Sequence, residues 1–313
     1  MAQWTENNIP DQTGRIVIIT GANSGLGYET TLALAKKNAT IIMACRNLSK
    51  GETALNDVLA QVPHATVTLM QLDLGSLDSV RAFAEKFRAD YNQLDLLINN
   101  AGIMAIPRSE TVDGFETQFG VNHLGHFALT GLLIDMIVQT PNSRIVNVSS
   151  SANYMGSINF DDLMGEKNYT RYGAYGQSKL ANVLFSNELQ RRFVAAGVST
   201  IAVSSDPGLS NTNLQTNTSD QSGNILERLF YPVVMNTMAQ SQAMGALTQL
   251  FAATASEANG CDYISPSFMG MRGHPKKTKA NQTAYDEATA KRLWQVSEEL
   301  TGITYPELAP VTA

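Results

Sequence analysis

Cysteine is almost absent from this chain: 313 residues hold two, Cys45 and Cys261. Two thiols build no disulfide framework, and these show no metal-ligand spacing, which fits a reducing compartment. Positive charge is also in deficit. Twenty-two Lys and Arg face 28 Asp and Glu, for a net charge of −6 and a pI of about 5.3, which disfavours nucleic acid or an anionic membrane as the main partner. The one basic cluster, Lys276-Lys277-Thr278-Lys279, reads as a solvated loop. Long apolar runs are missing too. Nothing approaches the roughly 18 apolar residues of a membrane span, and the polar stretch from Met1 to Gly14 carries no apolar targeting core. No integral membrane segment is expected, and a soluble cytoplasmic protein is. The four histidines, His64, His123, His126 and His274, include one close pair, but His123 and His126 have no carboxylate or cysteine partner nearby in sequence, so they read as structural and no metal site is expected.

What is present is an ordinary core-forming composition, 43% hydrophobic and 16% charged, enough for one large α/β domain. The apolar, β-branched run Arg15 to Thr20 leads into Gly21-Ala-Asn-Ser-Gly25-Leu-Gly27 and then a helical pattern. Strand, glycine turn and helix form a phosphate cradle: the helix N-terminus offers free N–H groups, and glycines admit a pyrophosphate close to the backbone. Gly21, Asn23, Ser24, Gly25, Leu26 and Gly27 are therefore candidate cofactor contacts. A second strand, Thr40 to Cys45, ends at Arg46. An acid near this strand end takes the ribose 2′-hydroxyl of NAD, whereas arginine suits a 2′-phosphate. No acid stands there, so NADP(H) is expected in preference to NAD(H).

Alternation continues as helix (50–60), strand (66–74), helix (79–88) and strand (94–100), which means a parallel sheet with helices on both faces. The expected fold is a single-domain, Rossmann-like, doubly wound parallel β-sheet over residues 1–313, with 1–14 as an N-terminal extension. Asp73 and Leu74 end the third strand, where an adenine would lie, and Asn99-Asn100-Ala101-Gly102 closes the fourth with small residues that permit close backbone approach. A long helix is expected over 114–137, with Asn122 part-way along. The fifth strand, Arg144 to Ser151, ends in hydroxyls, and the sixth, Val198 to Ser205, runs into Asp206-Pro207-Gly208.

Between them lies Tyr175-Gly-Gln-Ser-Lys179. On a helix, residues four apart share one face, so the phenol and the ammonium reach one small volume. A tyrosine has a free pKa of about 10, and a fixed ammonium beside it favours the phenolate and makes proton exchange possible.

Taken in order, Thr20-Gly21-x-x-x-Gly25-x-Gly27, Asn99-Asn100-Ala101-Gly102, Asn122, Ser150, Tyr175-x-x-x-Lys179 and Pro207-Gly208 resemble the short-chain dehydrogenase/reductase family from about Arg15 to Met269. Met43-Ala-Cys-Arg-Asn47, Val121-Asn-His-Leu-Gly-His-Phe127 and Ser178-Lys-Leu-Ala-Asn182 look like the motifs of its retinol dehydrogenase and light-dependent protochlorophyllide reductase branch. The resemblance implies that Tyr175 gives its proton to a carbonyl oxygen held by Ser150. It further implies that Lys179 tunes the tyrosine and binds the nicotinamide ribose, that Asn122 holds a water linking Lys179 to solvent, and that Pro207, Gly208 and Thr212 touch the cofactor. Ser149 and Ser151 flank Ser150, and strand alternation lets only one parity face the site; Ser150 is chosen by its spacing to Tyr175.

The implied activity is NADP(H)-dependent interconversion of an apolar aldehyde or ketone, retinal-like by branch, and its alcohol. The alternatives are a protochlorophyllide-reductase-like C=C reductase and a non-catalytic nicotinamide-binding sensor. Gly176-Gln177 stand where the photoreductases show Lys-Asp, which weighs against the former. No membrane-anchoring segment of the kind many retinol dehydrogenases carry is found. Residues 210–245, with an apolar, methionine-containing stretch at 225–244, are expected to form a mobile flap over the substrate. The insert around Gly165-Glu166-Lys167 is expected to edge its mouth. The tail, 270–313, is assigned to packing, with an amphipathic helix at 285–300, and a homo-oligomer is expected through the helices carrying Asn122 and Tyr175.

Overall fold

The computed structural model of the chain describes residues 3–210 and 239–308. Eight strands form one sheet in the order β3-β2-β1-β4-β5-β6-β7-β8, namely β1 (Ile16–Thr20), β2 (Thr40–Cys45), β3 (Thr66–Gln71), β4 (Leu96–Asn99), β5 (Arg144–Val148), β6 (Ile201–Ser205), β7 (Tyr263–Phe268) and β8 (Arg272–Thr278). The first seven run parallel and β8 is antiparallel to β7. Alternating strand residues feed opposite faces. Val17, Ile19, Ile41, Met43 and Val146 pack beneath α1 (Gly25–Ala35), α2 (Leu48–Gln61) and α8 (Gln242–Thr254). Ile18, Ile42, Leu97 and Ile145 pack beneath α3 (Leu77–Asp90), α5 (Gly125–Leu132), α6 (Ile134–Gln139) and α7 (Arg171–Ala196). The order reverses at β1, flanked by β2 on one side and β4 on the other. This is the switch point at which doubly wound sheets open a crevice for ligands.

Several expected elements differ, each for a local reason. The third strand stops at Gln71 because Asp73 turns the chain, its Oδ1 accepting the Gly75 N–H at 2.9 Å. The fifth stops at Val148, and Ser150 instead caps a 3-10 turn, Ser151–Met155. The fourth and sixth are likewise shorter than expected, Leu96–Asn99 and Ile201–Ser205. The long helix expected from Gly114 begins at α4 (Thr117–Phe119), where the Glu116 carboxylate accepts the N–H groups of Gln118 and Phe119 at 2.9 and 2.7 Å. It then widens into a π-turn, Gly120–Leu124, and breaks at Leu133 before α6.

The β7–β8 hairpin was not anticipated, and Lys276, Lys277 and Thr278 belong to its edge strand rather than to a loop; Lys277 Nζ pairs with Asp262 at 2.7 Å. The tail does pack. In α9 (Glu287–Thr301), Trp294 is buried against Phe127, Phe185 and Tyr305, and Asn187 of α7 donates to Ala284 O at 2.7 Å. The chain's own tail thus covers part of α7, a helix expected to face a second copy. The apolar stretch expected as a flap lies outside the described residues but for its end, where Gln242–Met244 open α8; Ser210 and Gln240 pair in an isolated parallel bridge.

Candidate active site

The carboxyl ends of β1, β2, β4 and β5 and the start of α7 enclose a cavity of about 810 Å³. Its floor is the turn after β1. Gly21 and Gly25 adopt φ of +67° and +57°, a left-handed region open to glycine. A Cβ on Gly27 would lie 2.4 Å from Gly21 O, so a glycine is required for α1 to approach the strand. Ser24 precedes α1 in extended conformation, leaving the N–H groups of Gly25, Leu26 and Gly27 at the positive end of the helix dipole. Asn100 closes the other side, its Nδ2 donating to Thr20 O at 2.7 Å, while Thr20 Oγ1 accepts the N–H groups of Asn100 and Ala101 at 2.9 Å each. A Cβ on Gly102 would stand 3.3 Å from Lys179 Nζ and 3.2 Å from Asn122 Oδ1, so space is kept clear there too. Exposed Arg46 and Lys50 flank the same cavity beyond β2. A cradle of free amides with cations at one end and a phenol with a buried ammonium at the other fits a phosphorylated dinucleotide.

Tyr175 and Lys179 begin the buried part of α7. Thr170 caps this helix by accepting the Gly173 N–H at 3.2 Å, and Gly197, at φ +68°, ends it. Lys179 is 4% exposed; its Nζ lies 5.7 Å from the Tyr175 ring centroid and donates to Val148 O at 3.1 Å. Burial pulls its pKa down to about 8 despite the opposing field of Asp206, so it remains mostly an ammonium at neutral pH. Asn122 sits in the π-turn, which adds a residue to one turn and turns its side chain toward the β4 loop. Its Nδ2 donates to Ile103 O and to Ser178 Oγ at 2.9 Å each, and its Oδ1 accepts the Ile103 N–H at 2.8 Å. Ser178 Oγ donates in turn to Tyr175 O at 2.8 Å. Both amide hydrogens of Asn122 are committed, so the side chain braces the site. His126 Nδ1 faces Asn122 O at 3.0 Å and must carry the proton, which leaves Nε2 as acceptor for the Thr20 hydroxyl at 2.9 Å. Burial lowers its pKa to about 4, and that of His123 to about 3, so both rings are neutral.

Among the three serines, Ser149 is buried and its Oγ donates to Lys179 O at 2.8 Å. Ser150 is half-buried, and its Oγ accepts the Ala152 N–H at 3.3 Å, an arrangement that leaves the Ser150 proton for another oxygen. The cavity gathers Gly21, Asn23, Ser24, Gly25, Leu26, Arg46, Asn100, Ala101, Gly102, Tyr175, Lys179 and Pro207. It does not gather Asp73 and Leu74, which turn back toward α3, and its wall is Ser149 rather than Ser150. Gly208, at φ +65°, packs under Met271 O. Thr212 lies outside the described residues. Tyr28, Asn47, Lys50 and Gln242 line the cavity unforeseen. Lys50 carried a signal, since it lies one turn after Arg46 in a helix capped by Asn47, whose Oδ1 accepts the Lys50 N–H at 2.9 Å. A second cavity, about 370 Å³, lies beyond β6, between Ser151, Tyr154, Asp206, Leu209, Met269 and Met271. Among the described residues no cluster of His, Cys, Asp or Glu is set to hold a metal, and no helix is long and apolar enough to cross a membrane.

Comparison with known proteins agrees with this fold. Residues 15–223 match the family described as short chain dehydrogenase. Human retinol dehydrogenase 12 is 44% identical over 292 residues, 93% of this chain and 88% of that protein. A crystal structure of an uncharacterized protein from Mycobacterium paratuberculosis superposes with a TM-score of 0.80 at 42% identity, covering 97% of this chain and 100% of that one. A short chain dehydrogenase from Shigella flexneri, crystallized with NADP, shares the fold at a TM-score of 0.63 and 19% identity, over 82% of this chain and 98% of its own.

Proposed function

The chain belongs to the short-chain dehydrogenase family, in its retinol dehydrogenase branch, and from that premise we propose that it interconverts an apolar aldehyde or ketone with its alcohol, using NADP(H) in preference to NAD(H). The observation that carries the reading is the buried Lys179 ammonium 5.7 Å from the Tyr175 ring, both in the cavity that begins at the glycine cradle. When bound, the cofactor supplies or accepts the hydride. Tyr175 exchanges the proton of the substrate oxygen, Ser150 holds that oxygen by its hydroxyl, and Lys179 favours the phenolate and binds the ribose. Asn122 holds Ile103 and Ser178, and through Ser178 the Tyr175 backbone of α7, in register with the cofactor loop. Arg46 and Lys50 take the 2′-phosphate. Leu209, Met269 and Met271 beside the second cavity favour an apolar guest. The free cysteines are consistent with residence in the cytoplasm.

The test is oxidation of NADPH and NADH in the dark against aldehydes and ketones graded by length and conjugation, retinal included. Turnover is expected to favour NADPH and long apolar carbonyls. Binding of NADPH with no turnover on any carbonyl, or turnover on a tetrapyrrole only under light, would sink the reading. In the same assay Tyr175→Phe should lose about 10²-fold or more in kcat while still binding NADPH; unchanged turnover would remove the tyrosine from its role.

A further inference from the structure

Lys179 is buried, yet no carboxylate lies within ion-pair distance of it among the described residues. A buried ammonium held by one carbonyl is costly without an opposing charge. Asp206 stands at the next strand end. Lys179 Nζ is tied to Val148 O, Val148 pairs in register with Ser205, and the Ser149 N–H donates to Ser205 O at 2.7 Å, so Asp206 begins where β6 leaves that pairing. Asp206 is 1% exposed and has no cation on it among the described residues. Its oxygens accept instead from Gly208 N–H and Tyr263 O–H, each at 2.9 Å, and Asn153 Nδ2 donates to that same phenol at 2.8 Å. These donors orient the carboxylate without neutralising it.

We propose that Asp206 is the buried counter-charge of Lys179, a positioning residue that keeps the ammonium charged beside Tyr175. The proposal rests on the catalytic reading above. The field between the two groups is mutual: burial raises the carboxyl to about 6 while Lys179 opposes the rise, and Asp206 opposes the fall of Lys179 to about 8. Between those values both groups are charged and each supports the other. The other titratable groups around the pair are Tyr175 on α7, Tyr263 on β7, raised well above its ordinary value first by burial, Tyr154 on the 3-10 turn, raised by burial and then by Asp206, and the imidazoles of His123 and His126, both neutral in that window.

The test compares Asp206→Asn with the parent chain in two measurements. The first is the melting temperature from pH 7 to 10.5, which needs no turnover. A lysine with a lowered folded pKa adds stability that is present above 10.5 and lost as pH falls through about 8, so its own contribution rises with pH across this window, while the buried Cys45 thiol, raised to about 11, works in the opposite sense equally in both chains. In Asp206→Asn that rise should begin about one pH unit lower. The difference should vanish when both chains also carry Lys179→Met. The second is the pH profile of kcat/KM for NADPH-dependent retinal reduction, whose alkaline limb should move acidward by a similar amount while NADPH binding stays intact.

Coincident melting profiles overturn the counter-charge. A shifted melt with an unmoved kinetic limb overturns the positioning role. A shifted melt in a chain that reduces no carbonyl upholds the charge pair and rejects the catalytic reading. Should Asp206→Asn fail to fold, Lys179→Met removes the cation and should move the Asp206 titration, read from melts between pH 4 and 7, to higher pH; an unmoved titration there overturns the proposal.

Discussion

Arg46 lies directly after β2 and Lys50 one helical turn later, both exposed at the rim of the cavity. Neither is held by an ion pair among the described residues, so both remain available to a dianion. Replacing Arg46 by Ala should raise the KM for NADPH about tenfold, the worth of one charge-assisted contact, and leave that for NADH nearly unchanged; equal effects on both cofactors would remove Arg46 from phosphate recognition. The serines also part at this scale. Ser149 spends its proton on Lys179 O and supports the helix, whereas Ser150 accepts from the backbone and keeps its own proton. Sequence spacing selected Ser150, but it offered no reason why Ser149 should be spent elsewhere.

Two short elements set the site's geometry. In the turn between β1 and α1, Gly27→Ala would place a methyl group 2.4 Å from Gly21 O. Backbone cannot yield as a flexible side chain does, so α1 must shift. We expect a loss of about 1–3 kcal/mol in stability together with weakened NADPH binding, measured by thermal melts and by quenching of protein fluorescence; a variant that binds NADPH normally would show that the cradle tolerates displacement. The second element is the π-turn Gly120–Leu124. Helical spacing from 114 to 137 reads as one continuous helix, because a single added residue barely disturbs an apolar periodicity. Only the partners of Asn122 and His126, on the β4 loop and on Thr20, show why the helix widens there.

For the whole molecule, two neutral histidines packed between sheet and helices make stability depend on pH. Their pKa values, about 3 for His123 and about 4 for His126, lie below the ordinary 6.5 because burial penalises the cation. The stability they contribute is complete above pH 6.5 and is lost as pH falls through about 4 and then 3, at roughly 1.4 kcal/mol per pH unit for each ring. Asp206, raised to about 6, works in the opposite sense, as do Glu29 and Glu116, raised by burial, and the two imidazoles, drawn further from their ordinary value than Asp206 is, set the net direction. The melting temperature should therefore fall between pH 6.5 and 4.5, and a flat profile would contradict the burial of the two rings. Whatever repeats locally was determined by the sequence alone: the strand and helix alternation, the glycine turn, and the four-residue spacing of Tyr175 and Lys179, because periodicity and i,i+4 geometry act between near neighbours. Contacts between distant segments were left to the tertiary structure. It added the β7–β8 hairpin to the sheet, moved Asp73 and Leu74 away from the cavity while bringing Tyr28 and Gln242 into it, and set Asp206 beside the strand end that holds Lys179. These depend on which strand ends become neighbours, and no local pattern encodes that.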